Sequence, residues 1–137
     1  MCGLGASGRN GGWVNGWEDA FPSLVGRFGA DGARWLVERS ADSVREIERT
    51  VTEGDLDCDF SLKSRLVIAL SEAQMARMDE DAAGRERHGT ADLVTILDAD
   101  EAKAACGSPR ALGGVLLKTA GAVQPALLVH DLRRLAL

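Results

Sequence analysis

The chain has 137 residues, with 16 Lys and Arg against 21 Asp and Glu, and a formal net charge of −5. That length suits one domain or one piece of a larger one, and an apolar content of 45% is well above the disordered range. The acidic balance and the lack of any Lys/Arg run exclude the electrostatic footprint of a nucleic-acid binder, and charges interrupt every apolar stretch long before the ~18 residues of a membrane span.

Cys2, Cys58 and Cys106 are scattered, and no CxxC pair or Cys/His cluster stands at metal spacing. Neither a disulfide framework nor a metal site is expected. His88 and His130 are too far apart to suggest a metal centre. The start, Met1-Cys-Gly-Leu-Gly5, lacks the basic region and apolar run of a secretory signal, so a reducing, cytoplasmic compartment is the default.

Nine of the 16 glycines fall within the first 32 residues. The opening Cys2-Gly-Leu-Gly-Ala-Ser-Gly-Arg-Asn-Gly-Gly-Trp13 cannot be the interior of a helix or strand, because glycine loses too much backbone entropy there. A shaped loop is the expectation. A short helix over Phe21–Phe28 follows, with Pro22 in its first turn, and then a long one over Asp31–Glu53. In the long helix Leu36, Val37, Ser40/Ala41, Val44, Ile47 and Val51 build one apolar stripe, and Gly54 is placed as its stop.

The period then changes. Asp57-Cys-Asp-Phe-Ser-Leu62 alternates polar and apolar, Lys63-Ser64 can turn, and Arg65-Leu-Val-Ile-Ala-Leu70 is a short apolar run. A β-hairpin is predicted. Ser71-Glu-Ala-Gln74 has capping-box form and opens a polar helix to about His88. Leu93–Leu97 reads as a strand. Asp98-Ala-Asp-Glu101 is a second capping box, opening a short helix that ends at Gly107 with Pro109 beyond. Gly114–Lys118 is another strand. From Gln124-Pro125 a last helix carries a dense apolar face of Leu127, Leu128, Leu132, Leu135 and Leu137. It stops without a polar cap and the glycine loop has no strand before it, so both ends read as cuts through structure.

Gly3-Leu-Gly5-Ala-Ser-Gly8 matches GxGxxG literally, but that fingerprint needs a strand before it and a helix after it. Only Met1 and Cys2 precede it, and Asn10-Gly-Gly-Trp-Val-Asn-Gly16 follows where the helix should run. A P-loop fails too, since Gly8 is followed by Arg-Asn rather than Lys-Ser/Thr. What remains is a run of small residues whose backbone N–H groups could form an anion nest, with Ser7, Arg9 and Asn10 as further donors. Missing side chains at Gly8, Gly11 and Gly12 would let a flat ligand approach the main chain. A flexible linker is the competing reading; the bulky Trp13 and Trp17 directly afterwards favour a shaped site.

The stretch Gly5-Ala-Ser-Gly-Arg-Asn-Gly-Gly12 resembles the second flavin-contacting segment of FAD-dependent oxidoreductases of the D-amino-acid-oxidase superfamily, most closely the amine-oxidase branch that includes gamma-glutamylputrescine oxidoreductase. The resemblance continues in order through the Trp17–Phe28 helix, the Asp31–Glu53 helix, the hairpin after Asp57, the Ser71 helix, Gly113-Gly-Val115 and Val123-Gln-Pro-Ala-Leu-Leu128. It implies an α+β fragment of such an enzyme: helices plus a small, mostly antiparallel sheet of the substrate domain and an incomplete flavin domain. On this resemblance residues 1–30 form the flavin loop and following helix, 31–122 a partial substrate domain, and 123–137 a return helix toward the flavin domain. The family's first dinucleotide-binding unit would precede this stretch and further strands would follow it.

Carried onto this sequence, the resemblance places Ala6, Ser7, Gly8, Asn10, Gly11 and Gly12 beside FAD or its phosphates, with Arg9 serving there or in a structural ion pair. Trp13 and Asn15 would border the substrate side, ordinary packing being the competing role for Trp13. The implied chemistry is oxidation of an amine or amino acid by hydride transfer to flavin, with no acid or base required of these residues. Asp79-Glu-Asp81 reads as a solvated helix face, His130 as a polar surface position beside Asp131, Arg133 and Arg134, His88 as a cation at a helix end, and Cys2 as packing. Two alternatives remain: a non-catalytic remnant or interaction module pairing through its apolar last helix, and a small phosphate-binding protein. FAD held by this loop alone would bind with a Kd on the order of 1 mM.

Overall fold

The computed structural model describes residues 3–16 and 21–137. Cys2, Trp17 and the start of the helix expected from Trp17 lie outside the described residues. The chain divides into two compact units. A loop unit holds the glycine-rich start up to Gly16, Ser40–Lys63 and Thr119–Leu137, and a sheet unit holds the stretch from Phe21 to Arg39 and Ser64–Lys118.

Helix α1 runs over Phe21–Glu53 and is broken at Gly29, whose φ of 71° and ψ of 171° no helix tolerates. The break falls where the sequence separates a short helix from a long one. Residues up to Arg39 belong to the sheet unit. There Phe21, Ala33 and Val37 are buried and packed with Leu24, Val25 and Leu93. Ser40–Glu53 belongs to the loop unit and continues the same stripe through buried Ala41 and Val44.

In the sheet unit the strand β2 (Ser61–Ala69), from Ser64 on, is followed by α2 (Glu72–Arg87), β3 (Val94–Leu97), α3 (Ala99–Cys106) and the first part of β4 (Gly113–Ala122). Strand β3 pairs antiparallel with β4, Val94 opposite Leu117 and Leu97 opposite Gly114. On β2, the Ala69 carbonyl accepts the Leu112 N–H at 2.8 Å, just before β4 begins. Val94, Val115 and Leu117 form one buried cluster with Val67 and Met78 against it; Leu97, Ala102 and Ala111 form another with Leu66, Cys106 and Leu116. Burying each such large side chain is worth roughly 1.5–3 kcal/mol, which is what holds α2 and α3 to the strands. At α3 Asp98 and Glu101 form the reciprocal capping box expected; at α2 only half of it forms, since Ser71 accepts the Gln74 N–H at 3.3 Å while the Gln74 side chain accepts from the Leu70 N–H rather than that of Ser71. Gly107 closes α3 in the left-handed conformation.

The hairpin expected over 57–70 is not formed. Residues Ser61–Ala69 make a single strand that runs straight through Lys63-Ser64. A turn-capable pair need not turn where a neighbouring strand supplies hydrogen bonds along the whole length, and β4, at 10 residues, is long enough to do so. Strand β4 itself extends beyond the predicted Gly114–Lys118 because Thr119-Ala-Gly-Ala122 stays paired despite its low strand propensity. The bend lies earlier, at Asp55 and Asp59, two non-glycine residues with φ of 47° and 51°.

Asp79 and Glu80 are exposed, as a solvated face requires, but Asp81 is half-buried and its Oδ2 accepts a hydrogen bond from Arg85 Nε at 2.6 Å. Arg85 is 0% exposed, its guanidinium 5.4 Å from the centre of the Phe21 ring. Its Nη1 and Nη2 have no hydrogen-bond partner among the described residues. Among the described residues, one carboxylate and one ring face therefore compensate a fully desolvated charge. Asp81→Ala should lower the stability of the chain by roughly 3 kcal/mol, read as a fall in the urea midpoint at unchanged slope. Adding Arg85→Met should recover most of that loss; a double variant as unstable as the single one would show that the ion pair is not the cause.

Candidate functional site

The glycine-rich loop lies in the loop unit, and its shape follows from side chains it lacks. A 3-10 turn over Ala6–Gly8 is closed by Gly8 N–H donating to the Gly5 carbonyl and Arg9 N–H to the Ala6 carbonyl, both at 3.2 Å. A Cβ on Gly8 would overlap the Gly3 carbonyl oxygen, so the loop can cross itself only at glycine. Gly12 has a φ of 72°, and a Cβ there would overlap the Val123 carbonyl oxygen. In the opposite sense, Val123 N–H donates to the Gly12 carbonyl at 2.9 Å. The short strand β1 (Trp13–Asn15) continues this contact by pairing antiparallel with Ala120–Ala122 of β4.

Asn10 fixes the loop from inside. Its Nδ2 donates to the carbonyls of Ala6 and Ser7, each at 3.1 Å, and its Oδ1 accepts the Gly12 N–H at 2.8 Å. Three amide N–H groups, those of Gly8, Arg9 and Gly12, are thus committed within the loop. An anion nest built on those three is not available to a ligand.

The remaining surface is open. Leu4, Gly5, Ala6, Ser7, Arg9, Asn10 and Gly11 are exposed, and nothing stands within 4 Å of a Cβ placed on Gly5. Gly8 is half-buried and Gly12 buried. The seven candidate residues from Ala6 to Gly12 therefore lie in one loop but divide into two kinds. Ala6, Ser7, Arg9 and Gly11 present exposed atoms outward, whereas Gly8, Asn10 and Gly12 hold the shape. Trp13 is 69% exposed rather than packed, and its ring lies beside Gly11, 3.4 Å from where a Cβ would be. Strand alternation explains this: Val14 takes the half-buried side and leaves Trp13 and Asn15 outward. The exposed face thus carries small residues with one hydroxyl, one guanidinium and an adjacent indole.

Behind the loop stands helix α4 (Pro125–Leu135), capped by the Gln124 side chain, which accepts the N–H groups of Ala126 and Leu127. Val129 lies 3.5 Å from where a Cβ on Gly3 would stand. Leu127, Leu132, Leu135 and Leu137 are exposed, His130 is exposed, and Asp131 is buried. Asp131, which in sequence sits among the polar residues His130, Arg133 and Arg134, stands four residues after Leu127 and three after Leu128, on the apolar stripe. Cys58 is buried and Cys106 half-buried, both free thiols. Among the described residues no three or more His, Cys, Asp or Glu come together as a metal would require, and no helix is long and apolar enough to cross a membrane.

Gly12→Ala should therefore cost at least about 1–2 kcal/mol from the left-handed backbone alone, and more from the overlap with Val123. Gly5→Ala, at a φ of −89° in open space, should change stability by less than about 0.5 kcal/mol. Thermal denaturation of the two variants checks this; equal midpoints would mean that the loop does not close on Val123.

A family model described as FAD dependent oxidoreductase (DAO) matches residues 1–137. Gamma-glutamylputrescine oxidoreductase of Escherichia coli K12 is 31% identical over 124 residues, covering 90% of this chain and 29% of that protein. Among solved structures, dithionite-reduced L-alpha-glycerophosphate oxidase from Mycoplasma pneumoniae with FAD bound superposes with a TM-score of 0.65 at 15% identity, over 97% of this chain and 33% of that one. Glycine oxidase from Bacillus cereus does so with a TM-score of 0.59 at 18% identity, over 96% and 33%. The chain spans about a third of the length of the proteins it matches. Its helices and small antiparallel sheet are the corresponding part of that fold, and the chain belongs to the FAD dependent oxidoreductase family.

Proposed function

We propose that these 137 residues supply a flavin-facing loop and part of the substrate-side sheet of an oxidoreductase acting on an amine or amino acid. In this reading residues 1–30 carry the flavin loop and the start of the following helix, 31–122 a portion of the substrate domain, and 123–137 the helix returning toward the flavin domain. The observation that carries it is the exposed, side-chain-poor face at Ala6, Ser7 and Gly11 of a loop whose shape is fixed by Gly8, Asn10 and Gly12. The resemblance to gamma-glutamylputrescine oxidoreductase supports the substrate class, and the free thiols of Cys58 and Cys106 suit a reducing, cytoplasmic compartment.

FAD, when bound, supplies the chemistry by accepting the hydride that leaves the carbon bearing the amine. The chain's own residues hold and orient. Ser7 and Arg9 offer a hydroxyl and a guanidinium to phosphate or ring oxygens. Ala6 and Gly11 keep the loop face low enough for a planar group to lie against it. Trp13 and Asn15 project from β1 beside that face, where they would border the substrate.

Titration of the chain with FAD, followed by the amide NMR shifts of residues 5–12, tests this. Saturation with a Kd on the order of 1 mM, about 4 kcal/mol, is expected, with Ser7→Ala and Arg9→Ala each weakening it and Gly5→Ala leaving it unchanged. If millimolar FAD moves no loop amide, the loop does not face a flavin. A chain that behaves so and self-associates through its exposed Leu127, Leu132 and Leu135 would instead be an interaction module.

A further inference from the structure

Helix α4 touches the glycine loop on one side and the turn after α1 on the other. Toward the loop it packs against the 3-10 turn Ala6–Gly8. Val123, which donates to the Gly12 carbonyl, is separated from its first turn only by Gln124. Toward the turn it makes three polar contacts. Arg134 Nη2 donates to the Asp55 carbonyl at 3.3 Å, Gln124 N–H donates to the Cys58 carbonyl at 2.8 Å, and Asp57 N–H donates to Asp131 Oδ2 at 2.8 Å. The last of these differs from the others. Its acceptor is a side chain only 13% exposed, on a helix stripe where a leucine would satisfy packing. It joins residues 74 apart in sequence.

We propose that Asp131 is a positioning residue for the glycine loop: its carboxylate, by accepting the Asp57 N–H, seats α4 so that Val123 meets Gly12 and the outward face of Ala6–Gly11 is held where the flavin lies. This rests on the reading of the loop as flavin-facing. A helix transmits such a seating because its backbone is stiff over three turns, so a bond near its middle fixes where its first residue stands. The surrounding charges are few. On α4, His130 Nδ1 and Arg134 Nε each lie 3.5 Å from Asp131 Oδ1. On the facing turn stand Asp55, Asp57, Asp59 and Cys58, the thiol pushed up by its burial first and then by the neighbouring carboxylates. The 3-10 turn packed on the same helix, Ala-Ser-Gly, carries no titratable side chain. The Asp57 N–H chiefly, helped by His130 and Arg134, holds the Asp131 carboxyl below the usual carboxylate range. A lowered carboxylate stabilises the native arrangement fully above its unfolded value, and that contribution disappears as pH falls through the lowered one.

The whole 137-residue chain, Asp131→Ala and Asp131→Asn are compared by amide exchange and by NMR titration from neutral to acid pH, with and without FAD. In Asp131→Ala the Val123 amide should lose protection by roughly tenfold and FAD should bind severalfold more weakly. The amides of Val94 and Leu117, in the other unit, should keep theirs. Asp131→Asn retains an oxygen acceptor, so it should restore most of both effects. The Val123 and Gly12 shifts should titrate with acid in the wild type and stay flat in Asp131→Asn. If Asp131→Ala does not fold, that pH contrast decides alone: identical titrations in wild type and Asp131→Asn overturn the proposal. So does unchanged Val123 protection in a folded Asp131→Ala. A wild-type chain that ignores FAD while Val123 still responds to Asp131 would overturn the flavin reading and leave the seating of the loop intact.

Discussion

The main chain of Gly12 lies directly on the main chain of Val123, with no space for a Cβ between them, and the geometry of the candidate site descends from that closeness. Backbone crossing of this kind is a local property of residue type: only glycine removes the atom that would collide and accepts the φ of 72° at no steric cost. Once Gly12 is fixed there, Asn10 can reach both forward to the Gly12 N–H and back to the Ala6 and Ser7 carbonyls. The loop then needs no core of its own.

The two units reach their stability by different means. The sheet unit depends on apolar burial at Val94, Leu97, Val115 and Leu117, with a desolvated Arg85 held by Asp81 and the Phe21 ring. The loop unit is poorer in large buried side chains and richer in backbone hydrogen bonds between distant residues, from main chain to main chain at Gly12–Val123 and Cys58–Gln124 and from the Asp57 N–H to the Asp131 carboxylate. Apolar contacts tolerate exchange of one hydrophobe for another of similar volume. Backbone contacts tolerate neither a new Cβ nor a lost acceptor. Change is therefore easier in the sheet unit than in the unit that carries the glycine loop.

Legibility in the sequence followed the range of the deciding interaction. Helix ends were readable because their codes are short: Ser71 to Gln74, Asp98 to Glu101, Gly107 after Cys106, Pro125 after Gln124. The break in α1 was readable for the same reason, since Gly29 needs no partner to leave the helix. Lys63-Ser64 was misread because what keeps it extended is a strand more than fifty residues later. Strand β1 had no signature of its own in three residues and exists by pairing with Ala120–Ala122. The loop was recognisable from Gly5-Ala-Ser-Gly-Arg-Asn-Gly-Gly12, yet not the split between residues that face outward and residues that hold the shape. That split is set by Val123 and Gly3, whose positions no local pattern encodes.

Asp131 shows what such a split means for a site. A carboxylate on the apolar stripe of a helix is costly unless its charge is met, and here a backbone N–H, an arginine and a histidine meet it. Packing alone would be served by leucine, which makes no directional demand. A charge-assisted hydrogen bond has a preferred distance and angle, so it selects one register. The register of α4 sets Val123, Val123 sets Gly12, and Gly12 sets the loop. The loop's shape depends on that chain of directional contacts, because an inside closed by glycine has no side chains with which to correct a misplaced backbone.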